Sequence, residues 1–185
     1  MSSKVSRSFF IIIFCVIGIF IVSCDSAAAI TAPTSSSAGG NPATHFGQQL
    51  KTSGCVSVNA LPDSDCTPGA VFPDVTVSEI CQPGYSSKVR NVPDSEKNQV
   101  YAEYGVKTHT AGQYEVDHLI SLELGGSNDI ANLWPEPAEP RPGFHEKDKV
   151  ENYLHDQVCN GAISLQEAQA QIATNWMAVY NQIPK

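Results

Sequence analysis

The sequence predicts a small α+β domain, tied by disulfides and closed by a C-terminal helix, on three observations. Four cysteines, Cys55, Cys66, Cys81 and Cys159, lie in the part of the chain that follows an export leader. Two short extended pieces, Gln113 to Ile120 and Asn132 to Trp134, flank a turn at Gly125-Gly126. Two later segments carry apolar residues at helical intervals instead.

The leader is residues 1–23. Lys4 and Arg7 precede the apolar run Phe9 to Val22, the charged-then-apolar order of a secretory signal. A helix that spans a bilayer needs about 20 apolar residues, more than this run offers. It ends in Ile21-Val22-Ser23-Cys24, which resembles the bacterial lipobox. That resemblance implies an exported protein whose Cys24 is lipidated and anchors it to the membrane of the cell envelope. Cleavage after Ala28 or Ala29, or retention of the run as an anchor, are the competing readings. Asp25 resembles the inner-membrane retention signal of enteric-type bacteria. Residues 24–47 are mostly Ala, Ser, Thr, Gly and Pro with scarcely any charge, a composition that suits a tether.

Residues 48–112 are expected to form an irregular, disulfide-containing first part of the domain. Pro62, Pro68, Pro73, Pro83, Gly69 and Gly84 break up regular structure between Val56 and Asn91. An even number of cysteines in an exported domain points to two disulfides, with three possible connectivities. The preferred one joins Cys55 to Cys66 across a short loop and Cys81 to Cys159 across the domain. Zinc is the competing use, although the spacings contain no Cys-x-x-Cys pair. Asp94 is placed to cap a short helix through Val100, Tyr101 and Tyr104 that stops at Gly105.

In residues 113–185, Pro135, Pro137, Pro140 and Pro142 are expected to interrupt regular structure before His145. Val150, Leu154 and Val158 then recur every four residues, and this helix is expected to end near Gly161. Ser164 and Glu167 fit a capping box, with Ile163 against Ala168 as a staple, for a last helix carrying the stripe Leu165, Ala168, Ile172, Trp176, Val179 and Tyr180.

The chemistry-bearing segment reads Glu115-Val116-Asp117-His118-Leu119-Ile120, Gly125-Gly126-Ser127-Asn128-Asp129, Asn132-Leu133-Trp134-Pro135 and His145. Together these residues resemble the HNH endonuclease motif, over about Tyr114 to Asp156. The resemblance implies a ββα-metal unit, a hairpin and a helix that clasp one divalent metal ion. It assigns His118 as general base and Asn132 as the amide that fixes the loop and orients His118. Asp117 and His145 would be the metal ligands, with Asp148 as an alternative donor three residues on. Mg2+ is the default cation for phosphate chemistry, and a histidine ligand would also suit a transition metal or Zn2+. The family places its third residue soon after the Asn strand, whereas here a Pro-rich insertion delays the helix.

Residue chemistry supplies the same roles independently. Phosphodiester cleavage needs an activated water, neutralised phosphate charge and help for the leaving oxygen, and an imidazole titrates near neutral pH. Asp117 and His118 are adjacent, so on a regular strand they point to opposite faces unless the strand ends there. They also have a bland reading as a buried pair that secures the hairpin, and Asn128 and Asn132 one as turn residues. The chain carries 11 Lys and Arg against 19 Asp and Glu, a net −8, or −10 without Lys4 and Arg7. That balance argues against a broad basic nucleic-acid surface. No Gly-x-Ser-x-Gly elbow, phosphate-binding loop or His-Glu-x-x-His helix competes. The expected function is metal-dependent endonucleolytic cleavage of DNA or RNA outside the cytoplasm, with no evident protein partner. The alternative is a noncatalytic envelope lipoprotein that keeps the ββα scaffold.

Overall fold

A computed structural model describes residues 46–184. The leader, Cys24 and nearly all of the tether lie outside the described residues. Phe46 packs against the core and Gly47 N–H donates to Gly69 O at 2.6 Å, so the chain has joined the fold by the end of the segment read as tether.

Residues 46–76 are coil, as the proline and glycine spacing predicts, with isolated bridges pairing Val58 with Leu61 and Val71 with Gly126. Three short helices follow: α1 (Val77–Ile80), α2 (Tyr85–Val89) and α3 (Asp94–Glu103). Asp94 is the first helical residue of α3 rather than its cap. Pro93, at φ −69° and ψ 158°, occupies the cap position, and the Asp94 carboxylate pairs with Lys97 instead. The cysteines form two disulfides, Cys55–Cys66 and Cys81–Cys159, the preferred pairing. Two disulfides are compatible with a protein that works outside the cytoplasm. No described helix is long and apolar enough to cross a membrane.

A two-stranded antiparallel sheet pairs β1 (Tyr114–His118) with β2 (Leu133–Pro137), in a register that sets His118 opposite Leu133 and Tyr114 opposite Pro137. The expected interruption at Pro135 and Pro137 does not occur, and the alternation of an antiparallel ladder explains why. Leu119 N–H donates to Asn132 O at one end and Ala138 N–H to Gln113 O at the other, so the even-numbered residues of β2 face β1. Pro135 and Pro137 fall on the odd positions, where the missing N–H would point away from the partner strand.

The connection between the strands is wound tightly, with 3-10 turns at Leu122–Leu124 and Ile130–Asn132. Gly126 makes this possible, because a Cβ there would lie 1.7 Å from the Ile120 carbonyl oxygen.

Helices α4 (Phe144–Cys159) and α5 (Leu165–Tyr180) pack on each other and supply most of the core. Val150, Leu154 and Val158 meet Ala168, Ile172, Trp176 and Val179 there, with Ile80, Ile120 and Leu124 from the other elements. Ser164 Oγ accepts from Glu167 N–H at 3.1 Å, which is half of the expected capping box. The return bond is absent because the Glu167 carboxylate accepts from Gln171 Nε2 instead. The second helix is broken at Asn175, whose Oδ1 recaps the chain by accepting from Ala178 N–H.

Trp176 is fully buried and its indole N–H donates to Ala60 O at 2.7 Å, tying α5 to the irregular first part. Trp176→Ala is expected to lower stability by about 3–5 kcal/mol. Urea denaturation with both disulfides intact would measure the loss.

Candidate active site

Strand β1 ends at His118, and its last two residues go different ways. The Asp117 carboxylate meets α4, while the His118 ring meets the loop before β2 and the segment between α2 and α3. That divergence is what successive positions of a strand dictate.

His118 is 1% exposed. Its Nε2 lies 3.2 Å from Asn128 Oδ1. Asn128 commits its amide nitrogen to Val89 O at 2.8 Å, and its Oδ1 also accepts from Asn91 N–H at 3.1 Å. The amide oxygen therefore accepts from His118, which puts the imidazole proton on Nε2 and leaves the lone pair on Nδ1. Nδ1 is buried and has no protein partner. Burial, opposed by the Asp117 charge, pulls the imidazole down from 6.5 to about 4, so the ring is neutral at neutral pH.

Asn132 is completely buried and makes three hydrogen bonds across the loop that follows His118. Its Oδ1 accepts from Ile120 N–H, and its Nδ2 donates to Ile120 O and Ser127 O, each at 2.9 Å. One amide thus closes both ends of the turn, including backbone groups that would otherwise be buried without partners.

Asp117 faces a charged cluster. Lys147, with a side chain 0% exposed, donates from Nζ to Asp117 Oδ2 at 2.6 Å, to His118 O at 2.8 Å and to Glu151 Oε1. Glu151 also accepts from Ser121 Oγ at 2.9 Å through its other oxygen. Burial works against charge on both Lys147 and Asp117, but each stabilises the other. The ammonium is held above its usual range and the Asp117 carboxyl below the usual carboxylate range.

Glu136, on β2, completes the cluster. Burial, with the like charge of Asp117 added, pushes its carboxyl up to about 10, so it carries a proton beside Asp117. Both of its side-chain oxygens are buried and neither has a hydrogen-bond partner, an environment that disfavours the charged form. Burial raises Glu151 to about 7.

His145 is exposed on the first turn of α4, its ring 4.3 Å from that of Phe144. Among the described residues, neither His145 nor Asp148 forms a hydrogen bond or ion pair with Asp117. The Asp148 carboxyl is raised by partial burial and then by the negative charge of Asp117. The structure therefore joins Asp117 to Lys147, Glu136 and Glu151, and leaves His145 and Asp148 at the rim.

As placed, these side chains do not fit a divalent ion beside Asp117. The carboxylate is already engaged by the Lys147 ammonium, and a hard cation requires several free oxygens. Among the described residues, the one group of three clustered candidate ligands is Cys81, His155 and Cys159. There the two sulfurs are joined in a disulfide, so neither is a thiolate ligand.

Sequence reasoning missed Lys147, Glu151, Glu136 and the role of Asn128. A signal for Lys147 existed: it lies seven residues before Leu154, on the stripe that buries Val150, Leu154 and Val158. A lysine on a buried stripe demands carboxylate partners. Glu136 stands opposite Glu115 in the sheet, but only the folded chain shows which of the two is enclosed.

Glu136 gives the site a testable pH dependence. Its folded carboxyl holds a proton up to about 10, against an ordinary value of 4.5. The folded state thus binds more protons than the unfolded one across that interval, and stability falls as pH rises through it. Glu136→Gln keeps the shape without the titration. The wild-type urea midpoint is expected to drop more between pH 6 and pH 9 than that of the variant, and equal drops would mean an ionised Glu136.

No protein-family model, curated protein or solved structure matches this chain.

Proposed function

We propose that this domain hydrolyses phosphodiester bonds of DNA or RNA as an HNH-type endonuclease outside the cytoplasm, with His118 as general base. The observation that carries this reading is the His118 imidazole itself. It is neutral, fixed through Nε2 by Asn128, and has an unpartnered Nδ1 at the end of a hairpin that a helix follows. A ring held in one tautomer with its lone pair free is prepared to take a proton from water.

The other residues support that group. Asn132 holds the turn leaving His118, and Lys147 binds the His118 carbonyl from behind. Arg90, exposed and close enough to depress the His118 pKa, is the cation available to a phosphate. An anionic phosphate facing the ring raises its basicity towards the ordinary imidazole range. At 1% exposure, Nδ1 is reached only when the site opens locally. Export, with Cys24 as a lipid anchor, belongs to the same reading and matches the two disulfides.

That enclosure is also the observation favouring the second reading, a noncatalytic envelope module in which the same residues hold the hairpin. Cleavage of plasmid, single-stranded DNA and RNA by the full oxidised chain separates the two. His118→Ala is expected to lower the rate by about 10²–10⁴-fold, with circular dichroism unchanged. The acid limb of kcat/KM is expected near pH 4, rising as the ring loses its proton, rather than near 6.5. Absence of cleavage on every substrate, with or without added cations, would favour the noncatalytic module.

A further inference from the structure

The HNH resemblance implies a divalent ion at Asp117, and the side chains present there disagree with it. Three oxygens converge on one point: Asp117 Oδ2 from β1, the His118 main-chain oxygen, and Glu151 Oε1 from α4. Carboxylate and carbonyl oxygens are the donors a hard cation prefers. The point is filled by the Lys147 ammonium, at 2.6 Å from Asp117 and 2.8 Å from His118 O, which are N–H···O lengths. An ammonium has three protons, and three oxygens accept them.

We propose that the Lys147 ammonium is the resident cation of this site, standing where the resemblance places a metal, so that no divalent ion binds at Asp117. The functional half of this statement, hydrolysis that persists in a chelator, rests on the nuclease reading above. The occupancy half does not.

Two features of the site favour the lysine over an exchangeable ion. Lys147 reaches the cluster from the first turns of α4 with its whole side chain buried, so a metal would have to displace an ammonium that has no water to move into. His145, the histidine that the resemblance makes a ligand, is exposed and unattached to Asp117. Lys147 is then a positioning residue. It touches the peptide carbonyl of His118 and the carboxylate of Asp117, and acts on the reaction through His118.

Titration with Mn2+, followed by electron paramagnetic resonance and calorimetry, tests the occupancy directly on the full chain and on Asp117→Asn. The expected result is no Mn2+ binding that distinguishes the two proteins. Stoichiometric binding by the wild type that Asp117→Asn abolishes would overturn the proposal. Lys147→Ala, refolded with Mn2+ present, is expected to gain a Mn2+ site that Asp117→Asn removes, an outcome that a lysine serving packing alone would not produce. Should Lys147→Ala fail to fold, the wild-type comparison still decides.

Cleavage in EDTA supplies the functional arm. Activity retained in EDTA supports the proposal. Activity lost in EDTA, restored by Mn2+ and accompanied by Asp117-dependent Mn2+ binding, overturns it and keeps the nuclease. If no condition gives cleavage, the nuclease reading falls, and the Mn2+ titration alone decides whether Lys147 holds the site.

Discussion

The buried ammonium of Lys147 joins α4 to the end of β1, and the arrangement of the candidate site depends on it. Taking a lysine out of water is expensive, and its attraction to a single carboxylate seldom recovers the whole cost. Here all three protons are accepted, by Asp117, Glu151 and the His118 carbonyl. The remaining difficulty is an excess of negative charge, since three carboxyls surround one ammonium. Burial resolves it by keeping Glu136 protonated, which removes a like-charge repulsion with Asp117. Removing one member of such a cluster is commonly far costlier, at about 3–5 kcal/mol, than replacing the whole of it with apolar groups. The cluster is therefore weak evidence for stability and better evidence for a fixed geometry.

That geometry reaches His118 by two routes. Through the main chain, Lys147 holds the His118 carbonyl and Asn132 holds the next turn at Ile120 and Ser127, so the backbone on both sides of the ring is pinned. Through the side chain, Asn128 fixes Nε2 and also binds Val89 and Asn91, which brings Arg90 alongside. The close return of the loop depends on Gly126, where any side chain would collide with Ile120 O. The opposite end of α4 is secured independently, by the Cys81–Cys159 disulfide and by packing on α5. The helix that carries Lys147 is thus held at both ends, which lets a long, flexible side chain keep one position.

Legibility in the sequence followed the physical nature of each signal. The stripes of α4 and α5 and the hairpin around Gly125-Gly126 were readable because burial imposes a period that local composition displays. The start of strand β2 was readable in Asn132 to Trp134, but its continuation was hidden by Pro135 and Pro137, which read as breakers unless the ladder phase is known, and phase is a property of the pair rather than of one strand. Asp117, His118 and Asn132 stood out as a motif. Lys147 and Glu151 belong to no motif, and Asn128 read as an ordinary turn residue. Those three acquire their roles only through partners distant in sequence, Lys147 and Glu151 around Asp117 and Asn128 around Val89 and His118.

Charge sets the terms on which a phosphodiester could approach. The chain is acidic overall, and near the site Glu115 and Asp148 add to Asp117, each with a carboxyl raised by burial and then by its acidic neighbours. A phosphate coming to His118 is therefore repelled by the rim and must be attracted locally. The Lys147 charge is largely spent on Asp117 and Glu151, and what it exerts beyond them lowers the pKa of His118 and of both rim carboxyls. Arg90 is differently placed, exposed and acting on His118 and on both rim carboxyls. On the nuclease reading, substrate attraction would rest on one exposed arginine, whose guanidinium suits bidentate capture of a phosphate, with the buried lysine holding the candidate base. Such a separation of anchor from scaffold would let an acidic protein present a phosphate-binding point without a basic surface.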